Sequence, residues 1–404
     1  MHQPSTHGVG VGTTPSSVRL SNLALVLKAV LSSPHPVSRA DVAAALGLTR
    51  STVSRLVDEL VASGFLAEGS PSPGRRGRPG VPLTAAPGGL MTLGMEVNVD
   101  RIAAMVVDLT GAVAAARTEP LDVVAAGPTE ALTLLADLAL SLLEGLDDDA
   151  RLVGAHLAIP ALVDRAGRTI VRAPNLGWDG VQPASYLGAL LSGRDWEFRV
   201  SNDVDCSALT LLHDPSLNLD DGSSFIHVTG EVGIGSSVII DGQQLTGRHG
   251  WASELGHVCV IPEGGRLCGC GATGCLETVV GLRGLLEASG TSSIENLMGA
   301  LRDKTPLALF TAEQAARALG RALGAALNLL DLDRVVLGGH LDTLSTWLLP
   351  ELRRELAVRV MWWPHEQVVV TTVGQDSTRT ARGAAHAALG PVIENPGRWI
   401  KRAE

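Results

Sequence analysis

The stretch from Gly250 to Gly281 holds more potential metal ligands than any other part of the chain, with one histidine and four cysteines among its glycines. His257, Cys268, Cys270 and Cys275 together supply one imidazole and three thiols, the donor set of a closed tetrahedral zinc site. The glycines allow so short a loop to wrap around one ion. Four unrelated residues, or disulfide pairing, are the alternatives; without a secretory segment the thiols are expected to stay reduced. The stretch therefore predicts one structural Zn²⁺ per chain.

Charge is unevenly distributed along the chain. Residues 17–80 hold eight Lys and Arg against four Asp and Glu, although the whole chain of 404 residues has a net charge of −10. A small basic module on a large acidic body favours contact of the small part with nucleic acid. The sequence has neither an uninterrupted apolar run of about 18 residues nor a signal-peptide pattern at its start, so we expect a cytoplasmic protein without a membrane partner.

The N-terminal part has the pattern of a winged helix-turn-helix. Residues 1–16 are rich in Gly, Ser, Thr and Pro and predict a disordered arm, and residues 17–86 predict the DNA-binding domain. Ser38 followed by Asp41 forms a capping-box pattern for a second helix, and Thr49 can cap a third. Gly47 lies in the turn that joins these two helices.

Polar and basic side chains lie where a recognition helix contacts DNA. At the start of the third helix these are Arg50, Ser51, Thr52, Ser54 and Arg55. A strand at 65–67 is followed by a basic loop with Arg75, Arg76 and Arg78, which either contacts phosphates and a minor groove or is a solvated linker. We expect binding to a double-stranded DNA operator as a homodimer or homotetramer, since one recognition helix reads few base pairs.

Residues 87–404 predict an α/β body with two lobes. A linker is expected at 79–89 because of its Pro and Gly clusters. Beyond it, a run of alternating strands followed by β/α units occurs first over 91–159 and again over 224–337. Two halves with the same order of elements predict a duplicated fold with a cleft between the lobes.

Several motifs in this body are similar to those of the ROK family (repressors, open reading frames and sugar kinases). The zinc stretch matches E-x-G-H followed by C-x-C-G-x-x-G-C-x-E, and Asn202-Asp203 matches an Asn-Asp pair at the start of a helix. With its N-terminal domain the chain resembles the repressor members, and G-M-E-V-N-V-D-R is similar to xylose-repressor-like ones. The resemblance implies a two-lobed, actin-like, ribonuclease-H-like ATPase-type (sugar kinase) fold whose C-terminal helix returns to the first lobe.

The resemblance also implies a monosaccharide in the cleft. The positions that match sugar-contacting residues are Asn202, Asp203, Glu254, His257, Glu277 and Asn175. In kinases of the family the residue that matches Asp203 takes the proton from the attacking sugar hydroxyl. From the residues alone, carboxylates and amides suit a polyhydroxylated ligand, but Asn202-Asp203 can equally be a helix cap.

The loops that match the family's nucleotide site depart from its pattern. Where the kinases have D-x-G-G-T, this chain reads Glu96-Val97-Asn98-Val99-Asp100, and the second loop gains Glu231. Lost glycines and added carboxylates oppose a triphosphate. We therefore expect a sugar-responsive repressor without kinase activity. The alternatives are a bifunctional ATP-dependent sugar kinase with a DNA-binding module, and a regulator that responds to a partner protein.

The two cysteines outside the predicted zinc set are Cys206 and Cys259. Both have apolar sequence neighbours, and buried cysteine behaves as a small, unreactive hydrophobic side chain. We expect both thiols to be buried.

Overall fold

The computed structural model describes residues 15–400 apart from 34, 71–80, 148–149, 195, 213, 215–216, 218, 220–221 and 364. Its helices are α1 (Pro15–Leu31), α2 (Arg39–Leu46), α3 (Arg50–Ala62), α4 (Val123–Glu144), α5 (Gly188–Leu191), α6 (Asp203–Leu211), α7 (Glu277–Val280), α8 (Leu282–Ser289), α9 (Ile294–Arg302), α10 (Pro306–Leu330), α11 (His340–Thr343), α12 (Ser345–Arg359) and α13 (Arg379–Glu394). Its strands are β1 (Val37–Ser38), β2 (Leu66–Glu68), β3 (Pro82–Ala85), β4 (Leu90–Val97), β5 (Arg101–Asp108), β6 (Val113–Pro120), β7 (Arg151–Ile159), β8 (Leu162–Val163), β9 (Ile170–Ala173), β10 (Trp178–Val181), β11 (Glu197–Asn202), β12 (Phe225–Gly230), β13 (Ile234–Ile240), β14 (Gln243–Gln244), β15 (Arg334–Gly339) and β16 (Val369–Thr372).

The N-terminal domain is a three-helix unit with a small sheet. The capping box of Ser38 and Asp41 starts α2, and Gly47 ends it with a left-handed φ of 64°. Thr49 caps α3 as expected. The expectation of a linker over 79–89 was wrong, because β3 lies within it and pairs with both β1 and β2. The sequence alone does not indicate this strand, because only tertiary packing brings its Leu83 into the core. The predicted arm, residues 1–16, lies outside the described residues except for its last two positions, where α1 begins at Pro15.

The two lobes repeat one topology. In the first sheet the strand order is β11-β7-β4-β5-β6, and in the second it is β16-β15-β12-β13-β14. In each lobe a three-stranded antiparallel meander is extended by two parallel strands. Each of these strands follows a helix in the chain. The predicted duplicated, two-lobed α/β fold is thereby confirmed. The cleft lies where the ends of β4, β11 and β12 meet.

Helix α4 is an apolar helix of the first lobe. By length and composition it is the one helix among the described residues that is apolar enough to span a membrane, although the sequence has no uninterrupted apolar run of that length. It is kinked at Gly127, where φ is 70°, immediately before Pro128. Its buried face, which includes Leu132 and Leu135, belongs to the core of the first lobe. Core packing explains the composition of this helix.

Helix α13 returns to the first lobe and packs against its sheet and against α6. A Cβ at Gly94 on β4 would lie 2.0 Å from the carbonyl oxygen of Ala381, and a Cβ at Gly383 would lie 1.8 Å from that of Cys206 on α6. Only glycine permits backbones to approach so closely. The side chain of Thr92 donates a hydrogen bond of 2.8 Å to the carbonyl of Ala385, which fixes α13 along β4.

The segment after α13 joins the winged helix to the first lobe. Trp399 is buried in one core cluster with Leu23 and Leu27 of α1 and with Val392 of α13. The guanidinium of Arg151 lies 5.5 Å from the Trp399 ring centroid and donates a hydrogen bond of 2.8 Å to its carbonyl oxygen. The N-terminal domain and the first lobe therefore share one hydrophobic core.

Replacing Gly383 by Ala tests the close contact of α13 with α6. The added methyl group meets backbone, which cannot rotate away, so we expect Gly383→Ala to lower the free energy of unfolding by about 1–3 kcal/mol. Gly390 on the same helix has open space around its Cα, and Gly390→Ala should leave stability unchanged or raise it by up to about 1 kcal/mol. Urea unfolding of both variants measures the difference. Equal stability of the two variants would contradict this account of the contact.

Candidate metal centre and interlobe cleft

The predicted zinc residues converge in the structure. One ligand atom from each of His257, Cys268, Cys270 and Cys275 lies within 4.8 Å of the others. The Sγ atoms of Cys270 and Cys275 are 3.7 Å apart, and Cys268 Sγ lies 3.6 Å from His257 Nδ1. Sulfurs bound at about 2.3 Å to one tetrahedral ion are about 3.8 Å apart, so the spacing suits Zn²⁺. The donor set and its geometry fit one metal ion held by four side chains.

The stretch from Gly250 to Gly281, called the metal loop below, is shaped by local backbone hydrogen bonds. The amide of Cys268 donates to the carbonyl of Ala272, and the amide of Gly271 donates to that of Cys268, so the two ends of a tight turn face each other. Gly274 has a φ of 75°, and a Cβ there would lie 1.9 Å from the carbonyl oxygen of Ile261. Glycine is required at this position because any side chain would strike the backbone.

His257 stands between the metal cluster and the cleft. Its Nδ1 faces Cys268, and its Nε2 lies 3.9 Å from Glu254 Oε2. A carboxylate near the outer nitrogen of a metal-bound imidazole fixes the orientation of the ring. Burial, together with the neighbouring Glu277, raises the pKa of Glu254, against the opposing effect of His257.

All six predicted sugar-contacting residues line one cavity between the lobes, with a volume of about 190 Å³. This volume is below the range of roughly 300–1,000 Å³ typical of pockets for drug-sized ligands, which suits a small occupant. Arg172 also lines the cavity, although no sequence motif indicated it. The side chains are brought together from distant segments: Asn175, Asn202, Asp203, Glu254, His257 and Glu277.

Asn202 and Asp203 lie where β11 passes into α6. The side-chain oxygen of Asn202 accepts hydrogen bonds from the amides of Val204, at 2.9 Å, and Asp205, and its amide nitrogen donates to the carbonyl of Ala161. Asn202 is therefore engaged as a helix cap, as the alternative sequence interpretation held. Burial and the nearby carboxylates of Glu231 and Glu96 raise the pKa of Asp203 to about 8, so its carboxyl is protonated at neutral pH.

Glu277 connects the metal loop with the second glycine loop. Its Oε2 accepts a hydrogen bond of 3.2 Å from the amide of Ile234. A Cβ at Gly233 would lie 2.1 Å from the same oxygen, so the glycine leaves room for the carboxylate. The metal loop thereby places Glu277 against the turn between β12 and β13.

The two loops that are expected to depart from the kinase pattern, 96–100 and 230–235, contact each other. Glu231, in the turn after β12, accepts a hydrogen bond of 2.6 Å from Asn98 in the turn after β4. Arg101 lies 2.8 Å from Glu96 and 3.3 Å from Glu231. The sequence motifs indicated the acidic residues but not Arg101. The signal that could have indicated Arg101 was the gain of charge in both loops.

Only some of the α3 side chains that are predicted to contact DNA make contacts within the chain. Thr49 bonds to Thr52 and Ser51 as part of the cap. Arg39 forms ion pairs with Asp58 and Glu68, which bind α2, α3 and β2 to one another. The exposed Arg50 and Arg55 make no ion pair within the described chain, and Ser54 is partly exposed. The predicted DNA-contacting residues Arg75, Arg76 and Arg78 lie outside the described residues.

The expectation for the remaining cysteines was half right. Cys206 is buried on α6, but Cys259 is exposed. Cys259 pairs in a β-bridge with Cys275, whose thiol is buried.

Comparison with known proteins places these features in a family. The ROK family model matches residues 92–390, and the MarR family model matches residues 24–76. The chain is 24% identical over 355 residues to a putative xylose repressor from Caldicellulosiruptor sp. (strain Rt8B.4), covering 83% of this chain and 87% of that protein. It is also 25% identical over 329 residues to a glucokinase from Streptomyces coelicolor, covering 74% of this chain and 98% of the glucokinase.

A solved structure supports the same assignment at the level of fold. The crystal structure of a ROK family transcriptional regulator, a homolog of the E. coli MLC protein, matches with a TM-score of 0.78 at 22% identity. The match covers 95% of this chain and 99% of that one, so it includes both the N-terminal domain and the lobes. With a family model that spans most of its length and a MarR-type winged helix in front of it, this chain belongs to the ROK family.

Proposed function

We propose that this protein is a sugar-responsive transcriptional repressor. A saccharide in the interlobe cleft changes the affinity of the winged helix for an operator. One observation carries this proposal: the domain with the exposed arginines of α3 shares a hydrophobic core with the first lobe, and that lobe supplies Asn202 and Asp203 to the interlobe cleft. Residues 17–86 form the DNA-binding domain and residues 87–404 the effector-binding domain. The names of the relatives, a putative xylose repressor among them, point the same way.

The effector is a monosaccharide or a sugar of similar size. Carboxylates accept hydrogen bonds from hydroxyl groups, and a protonated Asp203 donates one. Glu254, Glu277 and Asn175 converge on the cavity from three separate segments. Asn202 acts mainly by capping α6, which holds Asp203 at the cavity wall. His257 contributes to both the metal and the sugar.

The metal we propose is one structural Zn²⁺ per chain, held by His257, Cys268, Cys270 and Cys275. When bound, it neutralises the thiolates and leaves no open position for chemistry. Its contribution is to fix the loop that carries Glu254, His257 and Glu277. Loss of the ion should therefore disorder the sugar site before it affects the rest of the fold.

DNA binding uses the exposed start of α3 and the wing. The contacting side chains that we propose are Arg50, Ser51, Thr52, Ser54, Arg55, Arg75, Arg76 and Arg78. Two copies of the chain bind one operator, since one recognition helix contacts too few base pairs for specificity. The protein then acts in the cytoplasm, where the DNA is.

The route from sugar to DNA follows packed helices. Asp203 starts α6, α6 contacts α13 at Gly383, and α13 leads to Trp399, which packs on α1. Backbone contacts as close as these transmit a shift of one helix to the next, because a close-packed interior has no slack. A sugar that draws the second lobe toward Asp203 moves α6 and thereby the winged helix.

A screen of monosaccharides followed by operator binding tests this function. We expect one or a few sugars to raise the midpoint of thermal unfolding, because a ligand that binds only the native state stabilises it. The same sugars should change operator affinity at least about tenfold, a coupling of about 1.4 kcal/mol. The control Arg50→Ala/Arg55→Ala should lose operator binding but keep the thermal shift. Operator affinity that no sugar alters would exclude ligand control and leave a partner protein as the signal.

A second candidate is a bifunctional ATP-dependent sugar kinase with a DNA-binding module, favoured by retained Asp203 and the glucokinase relative. One observation opposes it. Asp100 and Glu231 line the second cavity, of about 330 Å³, and their carboxylates repel phosphates. We expect no ADP release with hexoses or pentoses in a coupled assay. Turnover that disappears in Asp203→Asn would establish the kinase instead.

Removal of one zinc ligand tests the link between metal and sugar. We expect Cys270→Ser to lower bound zinc from one ion per chain to well below one, and to weaken sugar binding at least about tenfold, the lower end of the effect of metal-site changes. Its operator binding without sugar should remain. The matched control is Cys259→Ser, which removes an exposed thiol of the same loop outside the cluster and should keep the zinc. A zinc-free variant with unchanged sugar affinity would disprove the link.

A further inference from the structure

Two turns from different lobes are joined by charged and polar contacts beside Asp203. The first turn, after β4, carries Asn98, and Arg101 follows it at the start of β5; the second turn carries Glu231. Asn98 donates a hydrogen bond of 2.6 Å to Glu231, and Arg101 Nη2 lies 3.3 Å from Glu231 Oε2. The same Nη2 lies 2.8 Å from Oε1 of Glu96. One guanidinium therefore bridges a carboxylate of the first lobe and a carboxylate of the second.

Burial makes the loss of Arg101 costly, because Glu96 would then be a buried carboxylate without its partner. The side chain of Glu96 is 0% exposed and that of Arg101 is 19% exposed, whereas Glu231 is 42% exposed. A buried carboxylate without a partner is costly, so Glu96 holds Arg101 in place. Nη1 of Arg101 pairs with Asp100 of the same turn at 3.1 Å, so Nη2 is the atom that reaches the opposite lobe. The strength of the bridge is thus set by its buried end, and its exposed end is the part that can open.

The bridge forms part of the wall between two cavities. Asn98, Asp203 and Glu231 line both the sugar cavity and the second cavity. Asp203 is close enough to Glu231 and Glu96 for both carboxylates to raise its pKa. Without Arg101, repulsion between Glu96 and Glu231 would push the two turns apart, because like charges in a region of low dielectric interact strongly. A change of the bridge therefore moves the sugar cavity.

We propose that Asn98 and Arg101, together with Glu96 and Glu231, form an interlobe clasp that holds the cleft ready for sugar without a nucleotide. The same acidic residues that oppose phosphate binding supply the charges of this clasp. Arg101 and Glu231 are positioning residues, since they act through Asp203 and the lobe arrangement. The effect on sugar affinity rests on the proposed function, but the effect on lobe separation does not.

Two variants separate the clasp from general stability. Arg101→Met removes the bridging cation, and Glu231→Gln removes the charge of the exposed end without leaving a buried charge unpaired. The matched control is Arg117→Met, which breaks a pair with Glu119 within strand β6 of the same lobe. Circular dichroism confirms folding. If Arg101→Met does not fold because Glu96 is left unpaired, Glu231→Gln and Glu231→Ala still test the proposal.

Interlobe distance is the first measurement. Spin labels carried by unnatural amino acids at the exposed positions Asp137, on α4, and Arg353, on α12, report it without modifying the cysteines. In sugar-free protein we expect a longer and broader distance distribution in both variants than in the wild type and Arg117→Met, and partial recovery in Arg101→Lys. Unchanged distributions in folded variants would overturn the clasp, whether or not any sugar binds.

Sugar affinity is the second measurement, made by calorimetry with a sugar that shifts the unfolding midpoint of the wild type. Each single variant should bind it about tenfold more weakly, and the double variant no more weakly than the worse single one, because residues of one network are not additive. Additive losses would mean that the two residues act separately and would refute the clasp. Failure of every sugar to bind the wild type would count against the proposed function while leaving the distance test decisive.

Discussion

The close contact between α6 and α13 is the constraint on which much of this molecule depends. Gly383 allows the backbone of α13 to reach the carbonyl of Cys206, and Gly94 allows it to lie on β4. These approaches are possible only where a side chain is missing, so they fix the helix in position and along its axis. At one end α6 presents Asp203 to the cleft, and beyond the other end of α13 Trp399 enters the core of the winged helix. The cleft and the winged helix are thus connected by packing within one chain.

The four candidate metal ligands lie in a loop that packing alone does not hold in one shape. A loop of glycines and polar residues has little apolar surface to bury, so it cannot hold a fixed shape through packing alone. Four ligand atoms within 4.8 Å of one another allow a single ion to supply that order. Glu277, two residues after Cys275, then reaches the turn between β12 and β13 and accepts a hydrogen bond from Ile234. On this interpretation the metal acts on the sugar site by orienting ligands and has no chemical role.

The contact between the lobes beside Asp203 is made by charged side chains of the chain itself. Glu96 and Asp100 both face Arg101, which also reaches Glu231 of the second lobe. The lobes are joined there by side chains, so this contact is an intrinsic property of the chain.

The sequence by itself determined the features that depend on near neighbours. The caps at Ser38 and Thr49, the left-handed turn at Gly47 and the set of candidate metal ligands are short-range patterns, and the repeated order of strands indicated two similar lobes. Tertiary structure alone decided that Leu83 completes the wing sheet, that Asn202 is engaged as a cap, and that Cys259 faces solvent. It also brought Arg101 to Glu231, 130 residues away. Such pairings depend on how the two lobes pack, and neither spacing nor composition along the chain records the distance between residues that far apart.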